Sequence, residues 1–328
     1  FQVKLSNRVE VLRVNAEAAR ILAAERAHTA PRVEVVNGAT FILDRPPTAA
    51  ALWGSGSDIL WADGEGVMIA GGMGLGKTTL AILLVRAQLG LIDQVLGLPV
   101  TDSGGKILYL AMDRPHQIAR AAARQFTEAD RDILTDRLIM RPGPPPVDLA
   151  TDTDALAKLA DEHDAEIVYV DSLKDAAVGL SEDAVGAGYN RARQKLLAEG
   201  RQICDLHHNV KRGPNGQAPS GVADVFGSTW LTSGAGSVIM LTGEPGDPLV
   251  QFRHVKQPAN EVGPWTLQID HDGGNVTVDP AVDLVALATA GGAEGVTAKV
   301  VATVLVDTGK PPTRSEVEKA RRKLDRLV

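Results

Sequence analysis

The stretch that decides the fold is Gly71-Gly72-Met73-Gly74-Leu75-Gly76-Lys77-Thr78, which fits the pattern GxxxxGK[ST]. An apolar run at 67–70 precedes it and predicts a strand, and an apolar run at 79–85 follows and predicts a helix. Glycines allow backbone N–H groups to point inward at a helix N-terminus, where they bind an anion. The stretch therefore predicts a loop for the phosphates of a nucleoside triphosphate, with a chance glycine-rich turn as the alternative.

Residues of this motif have separate predicted roles. Lys77 is expected to reach the β- and γ-phosphates of ATP, and the Thr78 hydroxyl to bind Mg²⁺. The positions expected to contact the nucleotide are Gly71, Gly72, Met73, Gly74, Leu75, Gly76, Lys77, Thr78 and Thr79. Kinases, motors, recombinases and transporters all carry such loops, so the motif alone leaves the reaction open.

Composition limits the classes of protein. The 328 residues are enough for one large core with a satellite or for two ordinary domains. No apolar run approaches the ~20 residues that cross a bilayer, so we expect no membrane association. Cys204 is the single cysteine, which excludes an intrachain disulfide and suits a reducing cytoplasm. A net charge of −7 confines any contact with nucleic acid to local basic patches.

Strand and helix patterns alternate from residue 67 onward. The predicted strands are Val67–Ala70, Lys106–Ala111, Glu166–Asp171, Gln202–His207, Ser237–Thr242 and Val250–Lys256. Several are near-continuous apolar runs between helical patterns, which is typical of buried parallel strands. This predicts an α/β fold with a doubly wound, mostly parallel sheet and with ligands at the carboxyl ends of its strands. The last strands follow each other without helices, which predicts an antiparallel edge.

Smaller units are expected on both sides of this α/β domain, which we place at residues 31–281. Residues 1–30 predict an N-terminal helix. Residues 282–328 carry three short helical patterns typical of a helix-turn-helix unit, at Asp283–Thr289, Thr297–Val304 and Arg314–Leu327. The third is basic and suited to DNA contact, and a solvated amphipathic face explains its charge equally well.

Two of the predicted strands lead into acids that suit a phosphate site. Asp171 ends the strand at Glu166–Asp171, where a carboxylate would hold Mg²⁺ through its water shell. Asp113 follows the strand at Lys106–Ala111, where a carboxylate could orient the water that attacks the γ-phosphate. The alternative for each acid is to cap the helix or turn that comes next.

His207 and His208 end another predicted strand. A polar side chain there is expected to sense the γ-phosphate and to pass its presence on to the loop that follows. That loop is basic and glycine-rich and contains Lys211 and Arg212. Paired histidines can instead bind a metal, but no third ligand lies nearby in the sequence.

Arg253 and Lys256 have no acid near them in the sequence. One of these cations could stabilise transition-state charge on a nucleotide held by a neighbouring subunit, as an arginine finger does. A solvated hairpin tip is the alternative interpretation.

Taken in order, these motifs resemble a RecA-fold ATPase, and most of all the RepA/DnaB-like hexameric helicases of plasmids, phages and bacteria. The likeness covers residues 48–270 and rests on Tyr109-Leu110-Ala111-Met112-Asp113-Arg114-Pro115, His207-His208 and Val255-Lys256-Gln257. It implies a RecA-like ATPase domain at 31–281 between a linker helix and a small helix-turn-helix unit.

The resemblance also implies roles for individual residues. Asp113 is then the catalytic base, in a position where the family usually has Glu. His208 is the sensor, with His207 as the second choice, and Arg120 stacks on adenine. The full catalytic set is Lys77, Asp113, Asp171, His208, Arg253 and Lys256, with Thr78 and Asp171 as metal ligands.

The DNA-binding loops of the family fall on residues 174–189 and 209–224, and in the second loop Lys211 and Arg212 contact DNA. The implied function is an ATP-driven replicative helicase or translocase that acts on single-stranded DNA as a hexameric ring of identical subunits. The implied partners include a primase or another replication protein.

The alternative functions are a RecA/RadA-like recombination ATPase, a small-molecule P-loop kinase, and a DNA-binding regulator switched by ATP.

Overall fold

The computed structural model describes residues 35–44, 49–210, 219–279 and 296–306, together with positions 312, 314, 317, 318 and 321. The chain divides into two compact units, Phe1–Pro46 and Pro47–Val328. In the first unit, helix α1 covers Gly38–Leu43, and its N-cap Asn37 accepts a hydrogen bond from the backbone N–H of Thr40. The helix predicted at 1–30 lies outside the described residues.

The second unit alternates strands and helices. Its strands, in chain order, are β1 Ala51–Ser55, β2 Asp58–Ala62, β3 Val67–Gly71, β4 Gln94–Val95, β5 Leu98–Pro99, β6 Lys106–Ala111, β7 Leu138–Pro142, β8 Ala165–Asp171, β9 Gln202–His207, β10 Ser237–Thr242, β11 Leu249–Lys256, β12 Trp265–Asp270 and β13 Asn275–Val278. Its helices are α2 Lys77–Gln88, α3 Pro115–Ala122, α4 Arg131–Arg137, α5 Ala155–Glu162, α6 Leu173–Ala176, α7 Asp183–Ala198, α8 Thr229–Ser233 and α9 Ala298–Val306. All six predicted strands are confirmed, each within one residue of its predicted ends.

A nine-stranded sheet in the order β13-β12-β11-β10-β3-β9-β8-β6-β7 forms the centre of this unit. From β10 to β7 every neighbouring pair is parallel. All residues of β3 and β9 are buried, which explains why β3 is apolar without alternation. The predicted doubly wound, mostly parallel α/β fold is confirmed.

The other side of the sheet is antiparallel. β10 pairs with β11, β11 with β12 and β12 with β13, each pair in antiparallel register. Along β11 the residues Val250, Phe252 and His254 are buried, while Leu249, Gln251 and Arg253 between them are exposed. The predicted antiparallel edge is therefore confirmed, although the sequence did not indicate β12 or β13.

Helices pack on both faces of the sheet. Successive residues of a strand point to opposite faces, so Tyr169 lies in one hydrophobic core with α2, and Val168 lies in the other core with α5 and α7. Cys204 is fully buried in the first core as a small apolar side chain. Among the described residues no helix is long and apolar enough to cross a membrane.

Past residue 281 the description is partial. Helix α9, Ala298–Val306, lies where the sequence predicts a helix at Thr297–Val304. The helix predicted at Asp283–Thr289 and most of the one at Arg314–Leu327 lie outside the described residues. The proposed helix-turn-helix unit therefore stays a prediction.

Candidate active site

The glycine-rich loop joins β3 to α2 at the carboxyl edge of the parallel strands. Gly74 and Gly76 adopt left-handed backbone angles, with φ of 75° and 82°. At Gly76 a Cβ atom would also come within 3.0 Å of Ile269 Cδ1, so both the backbone and the space favour glycine there. The loop ends at Lys77, the first residue of a 12-residue helix whose free N–H groups face the loop.

Lys77 folds over this loop. Its ammonium donates to the carbonyl oxygens of Gly71 at 2.8 Å and Gly72 at 2.7 Å. Burial lowers the pKa of Lys77 to about 8, and the carboxylates of Asp171 and Asp113 act in the opposite direction. The structure thus holds one buried cation at the mouth of the loop, within the influence of two acids.

Asp171 lies at the end of β8 and is only 6% exposed. Its Oδ2 accepts hydrogen bonds from the Thr78 hydroxyl at 3.0 Å and from the Tyr109 hydroxyl at 2.8 Å. Burial raises the pKa of the Asp171 carboxyl, although both hydrogen bonds act against this shift. The side chain is therefore a desolvated carboxylate next to the glycine-rich loop.

Tyr109 is also part of this site, and it was not predicted from the sequence. A tyrosine hydroxyl inside an apolar strand needs a polar partner, and this was the available signal. The parallel pairing of β6 with β8 sets Tyr109 beside Tyr169 and Ala111 beside Asp171. Only that register, which the sequence does not state, brings the hydroxyl to the Asp171 carboxylate.

The oxygen atoms of Thr78 and Asp171 fit a Mg²⁺ site. Mg²⁺ in nucleotide sites usually takes one or two protein oxygens and completes its shell with phosphates and waters. Within the described part of the chain no group of three or more His, Cys, Asp or Glu residues could form a cage for a metal. The donor set present therefore suits Mg²⁺ held together with a nucleotide.

Asp113 follows β6 on the same edge of the sheet. Its backbone N–H donates to the Asp171 carbonyl at 3.3 Å, and its Oδ2 lies 2.9 Å from Lys174 Nζ. Arg114, not Asp113, occupies the N-cap position of α3. The carboxylate of Asp113 thus faces the site and an adjacent lysine, and the alternative of a helix cap loses its support.

The two histidines at the end of β9 differ in their surroundings. His207 is fully buried, its Nε2 lies 2.6 Å from the Phe226 carbonyl, and burial lowers its pKa to about 4. His208 is half-buried, and its pKa is lowered by burial and then by the positive charges of Lys77 and Lys174. Lys77 acts on both histidines, but His207 is fixed in the core by Phe226, whereas the half-buried His208 also feels Lys174.

Lys256 of β11 is not part of this cluster. Residue Gln251 pairs with Thr242 at the carboxyl edge of β10, whereas Lys256 pairs with Val238 at the other end. Five residues separate these positions, about 16 Å along a strand. Lys256 Nζ donates to the carbonyl oxygens of Thr232 at 3.1 Å and Ser233 at 2.8 Å, at the end of α8.

The remaining predicted residues are Arg120, Thr79, Lys211 and Arg212. Arg120 is exposed on α3, and among the described interactions no hydrogen bond or ion pair joins it to the glycine-rich loop. Thr79 contributes its carbonyl oxygen to Gln125 Nε2 at 3.0 Å. Lys211 and Arg212 lie outside the described residues.

A cavity of about 420 Å³ lies at the opposite, amino-terminal edge of the sheet. It is lined by residues at the beginnings of β8 and β9, including Glu166 and Gln202, and by the preceding segments with Asp164, Glu199 and Arg201. This cavity is separate from the loop and the acids described above.

A family model described as an AAA domain matches residues 23–210. No curated protein matches the chain. The match covers more than half of the chain and includes the glycine-rich loop, Asp113, Asp171 and both histidines. The chain belongs to this AAA domain family, and it is an AAA-type P-loop ATPase.

Proposed function

We propose that this ATPase is a motor of the RepA/DnaB-like helicase type, which moves along single-stranded DNA as a ring, most simply a hexamer. The observation that carries the proposal is the hydrogen bonding of both histidines to Phe226, which joins the edge of the site to the end of the segment that contains Lys211 and Arg212. His207 contacts the Phe226 carbonyl, and the Phe226 N–H donates to the His208 carbonyl at 2.9 Å. The loop that contains Lys211 and Arg212 begins and ends at these bonds.

The stem of this loop is held by further backbone contacts. The Val210 N–H donates to the Asp224 carbonyl at 2.9 Å, and Asn209 forms an antiparallel bridge with Val225. A shift of His208 on contact with a γ-phosphate would therefore move both strands of the stem together. These bonds support a mechanism in which ATP binding moves the loop, so that Lys211 and Arg212 shift along the DNA phosphates.

The site supports hydrolysis of ATP by in-line attack of water. Asp113 accepts a proton from the water, whose oxygen bonds to the γ-phosphorus while the bond from this phosphorus to the β–γ bridging oxygen breaks. ADP and inorganic phosphate leave, and Asp113 returns its proton to phosphate or solvent. Lys77 and the N–H groups at the start of α2 bind the β- and γ-phosphates. Mg²⁺, held by Thr78 and Asp171, would supply positive charge to the phosphate oxygens.

The positions of Arg253 and Lys256 support a site shared between subunits. The strand register sets Lys256 three to four residues, about 10–13 Å, from the level of Gly71, where its own glycine-rich loop begins. Lys256 is therefore held away from the nucleotide of its own chain. In a ring, Arg253 is the more available of the two because its side chain is exposed, whereas Lys256 already bonds two carbonyl oxygens.

The test is the rate of ATP hydrolysis with and without single-stranded DNA. We expect DNA to raise kcat, and we expect the double variant Lys211→Ala/Arg212→Ala to keep its basal rate but lose this increase. Lys158→Ala, which removes an exposed lysine of α5, is the matched control. A rate that no nucleic acid changes would overturn the motor proposal.

Two further measurements separate the alternatives. A RecA/RadA-like recombination ATPase would form filaments on DNA or prefer branched DNA, which electron microscopy and a comparison of DNA forms would reveal. A small-molecule kinase would transfer the γ-phosphoryl group to an added acceptor rather than to water.

A further inference from the structure

A second lysine of the same chain lies at the edge where ATP would be hydrolysed. Lys174 belongs to the four-residue helix α6, which begins two residues after Asp171. Its Nζ lies 2.9 Å from Asp113 Oδ2, and its side chain is 41% exposed. Lys174 is thus connected through the chain to one acid of the site and through an ion pair to the other.

The electrostatic influence of Lys174 reaches two other side chains of the site. Its positive charge contributes to the lowered pKa values of both Lys77 and His208. The position of its ammonium is given by the ion pair, 2.9 Å from the carboxylate of Asp113 that would orient the attacking water.

The chemistry of this ammonium suits a bridge between two anions. A lysine ammonium has three N–H donors, and in the described part of the chain its ionic partner is Asp113 alone. Asp113 next to a triphosphate would repel it, because both are negatively charged. A lysine that contacts the carboxylate with one N–H and a phosphate oxygen with another removes this repulsion and keeps Asp113 beside the attacking water.

The comparison with Lys256 strengthens this assignment. Lys256 is bonded to two backbone carbonyls at the far end of β11, whereas Lys174 is partly exposed and paired only with a residue of the site. We infer that Lys174 is a catalytic residue that contacts the γ-phosphate from within the same subunit and holds Asp113 in position. The inference rests on the proposed hydrolysis of ATP, but not on DNA binding or on ring assembly.

Three variants test this role by steady-state ATPase kinetics. Lys174→Gln removes the charge and leaves a polar side chain that is one atom shorter. We expect kcat to fall about 100-fold with little change in KM, as when one transition-state donor is removed. Lys174→Arg keeps the charge and should recover part of the loss. The exposed Lys158→Ala should behave as the wild type. Equal melting temperatures would show that all three variants fold.

Mixtures of subunits test whether Lys174 acts in its own chain. Co-assembly of Lys174→Gln with Asp171→Ala subunits should restore no activity, because every site then lacks one residue that must be in the same chain. Restored activity would place Lys174 in a neighbour's site and overturn the inference. A Lys174→Gln variant with unchanged kcat, or with only a raised KM, would overturn it as well. A wild type that hydrolyses no ATP would overturn the proposed function and this inference together.

Discussion

Two buried aspartates on neighbouring strands share one kind of hydrogen bond and differ in the charges around them. Asp171 on β8 and Asp205 on β9 are 6% and 1% exposed, and each accepts a tyrosine hydroxyl, from Tyr109 at 2.8 Å and Tyr189 at 2.6 Å. Asp205 also forms an ion pair with the buried guanidinium of Arg193, at 2.6 Å. Within the described part of the chain, the groups that donate to the Asp171 side chain are the hydroxyls of Tyr109 and Thr78.

The difference separates a structural acid from a functional one. The charge of Asp205 is neutralised within the core, where Arg193 also donates to the Leu231 carbonyl and so joins α7, β9 and α8. Among the described residues Asp171 has no cation within ion-pair distance, and burial raises the pKa of its carboxyl although the charge of Lys77 acts against this shift. A buried carboxylate without a paired cation is costly to ionise, unless a ligand brings the missing positive charge. The following variants test this contrast.

The largest effect is expected for Asp171→Asn. We expect the rate of ATP hydrolysis to fall by at least ~10³-fold, which corresponds to about 4 kcal/mol of barrier, because the metal ligand is lost. The pKa of Asp171 is higher in the folded chain than in the unfolded one, so ionisation above that pKa costs stability. The variant should therefore be as stable as the wild type at pH 7, or more stable, in urea unfolding. A large loss of stability would contradict this.

Asp205→Asn should have the opposite profile. It leaves the buried Arg193 without its counter-ion, and removing one partner of a buried pair typically costs about 3–5 kcal/mol. Urea unfolding at pH 7 would measure this loss, with Asp161→Asn as a control because Asp161 pairs with Arg201 at the surface. Full stability in the Asp205 variant would show that Arg193 is not held by this charge.

Of the predictions made from the sequence, the strands and the sheet type are confirmed, because continuous apolar runs and the motif between β3 and α2 are local signals. The contacts of Tyr109, Arg193 and Lys174 were not predictable, because each depends on the register between strands or on a helix–strand contact. The same reason explains why the places of Arg253 and Lys256 along β11 were not predictable, because they depend on the register of β11 against β10. Their action on the nucleotide of a neighbouring subunit stays a prediction.

Low pH should reduce the free energy of unfolding, because His207 at the end of β9 is buried without charge. Burial lowers its pKa from 6.5 to about 4, so the unfolded chain binds the proton more tightly. Stability is then fully present above pH 6.5 and decreases as the pH falls toward 4, by about 3 kcal/mol at most. Urea unfolding at pH 7 and pH 4.5 would show this loss, and His207→Gln should reduce it, whereas the exposed His271→Gln should not.

The smallest effects are expected for the two tyrosines that bond the acids. Tyr109→Phe and Tyr189→Phe each remove a hydrogen bond to a carboxylate, worth about 1.5–3 kcal/mol. Both should lower stability in urea unfolding, but only Tyr109→Phe should also change the rate of ATP hydrolysis. A change of rate in Tyr189→Phe with none in Tyr109→Phe would reverse the roles assigned to the two acids.

The most direct test of the central claim, that Asp171 and Thr78 bind Mg²⁺ together with ATP, is a measurement of melting temperature with ATP in excess Mg²⁺ and in EDTA. For the wild type and for Asp161→Asn, ATP should raise Tm more with Mg²⁺ than with EDTA. For Asp171→Asn the two increases should be equal. A Mg²⁺-dependent increase in Asp171→Asn as large as that of the wild type would contradict the account.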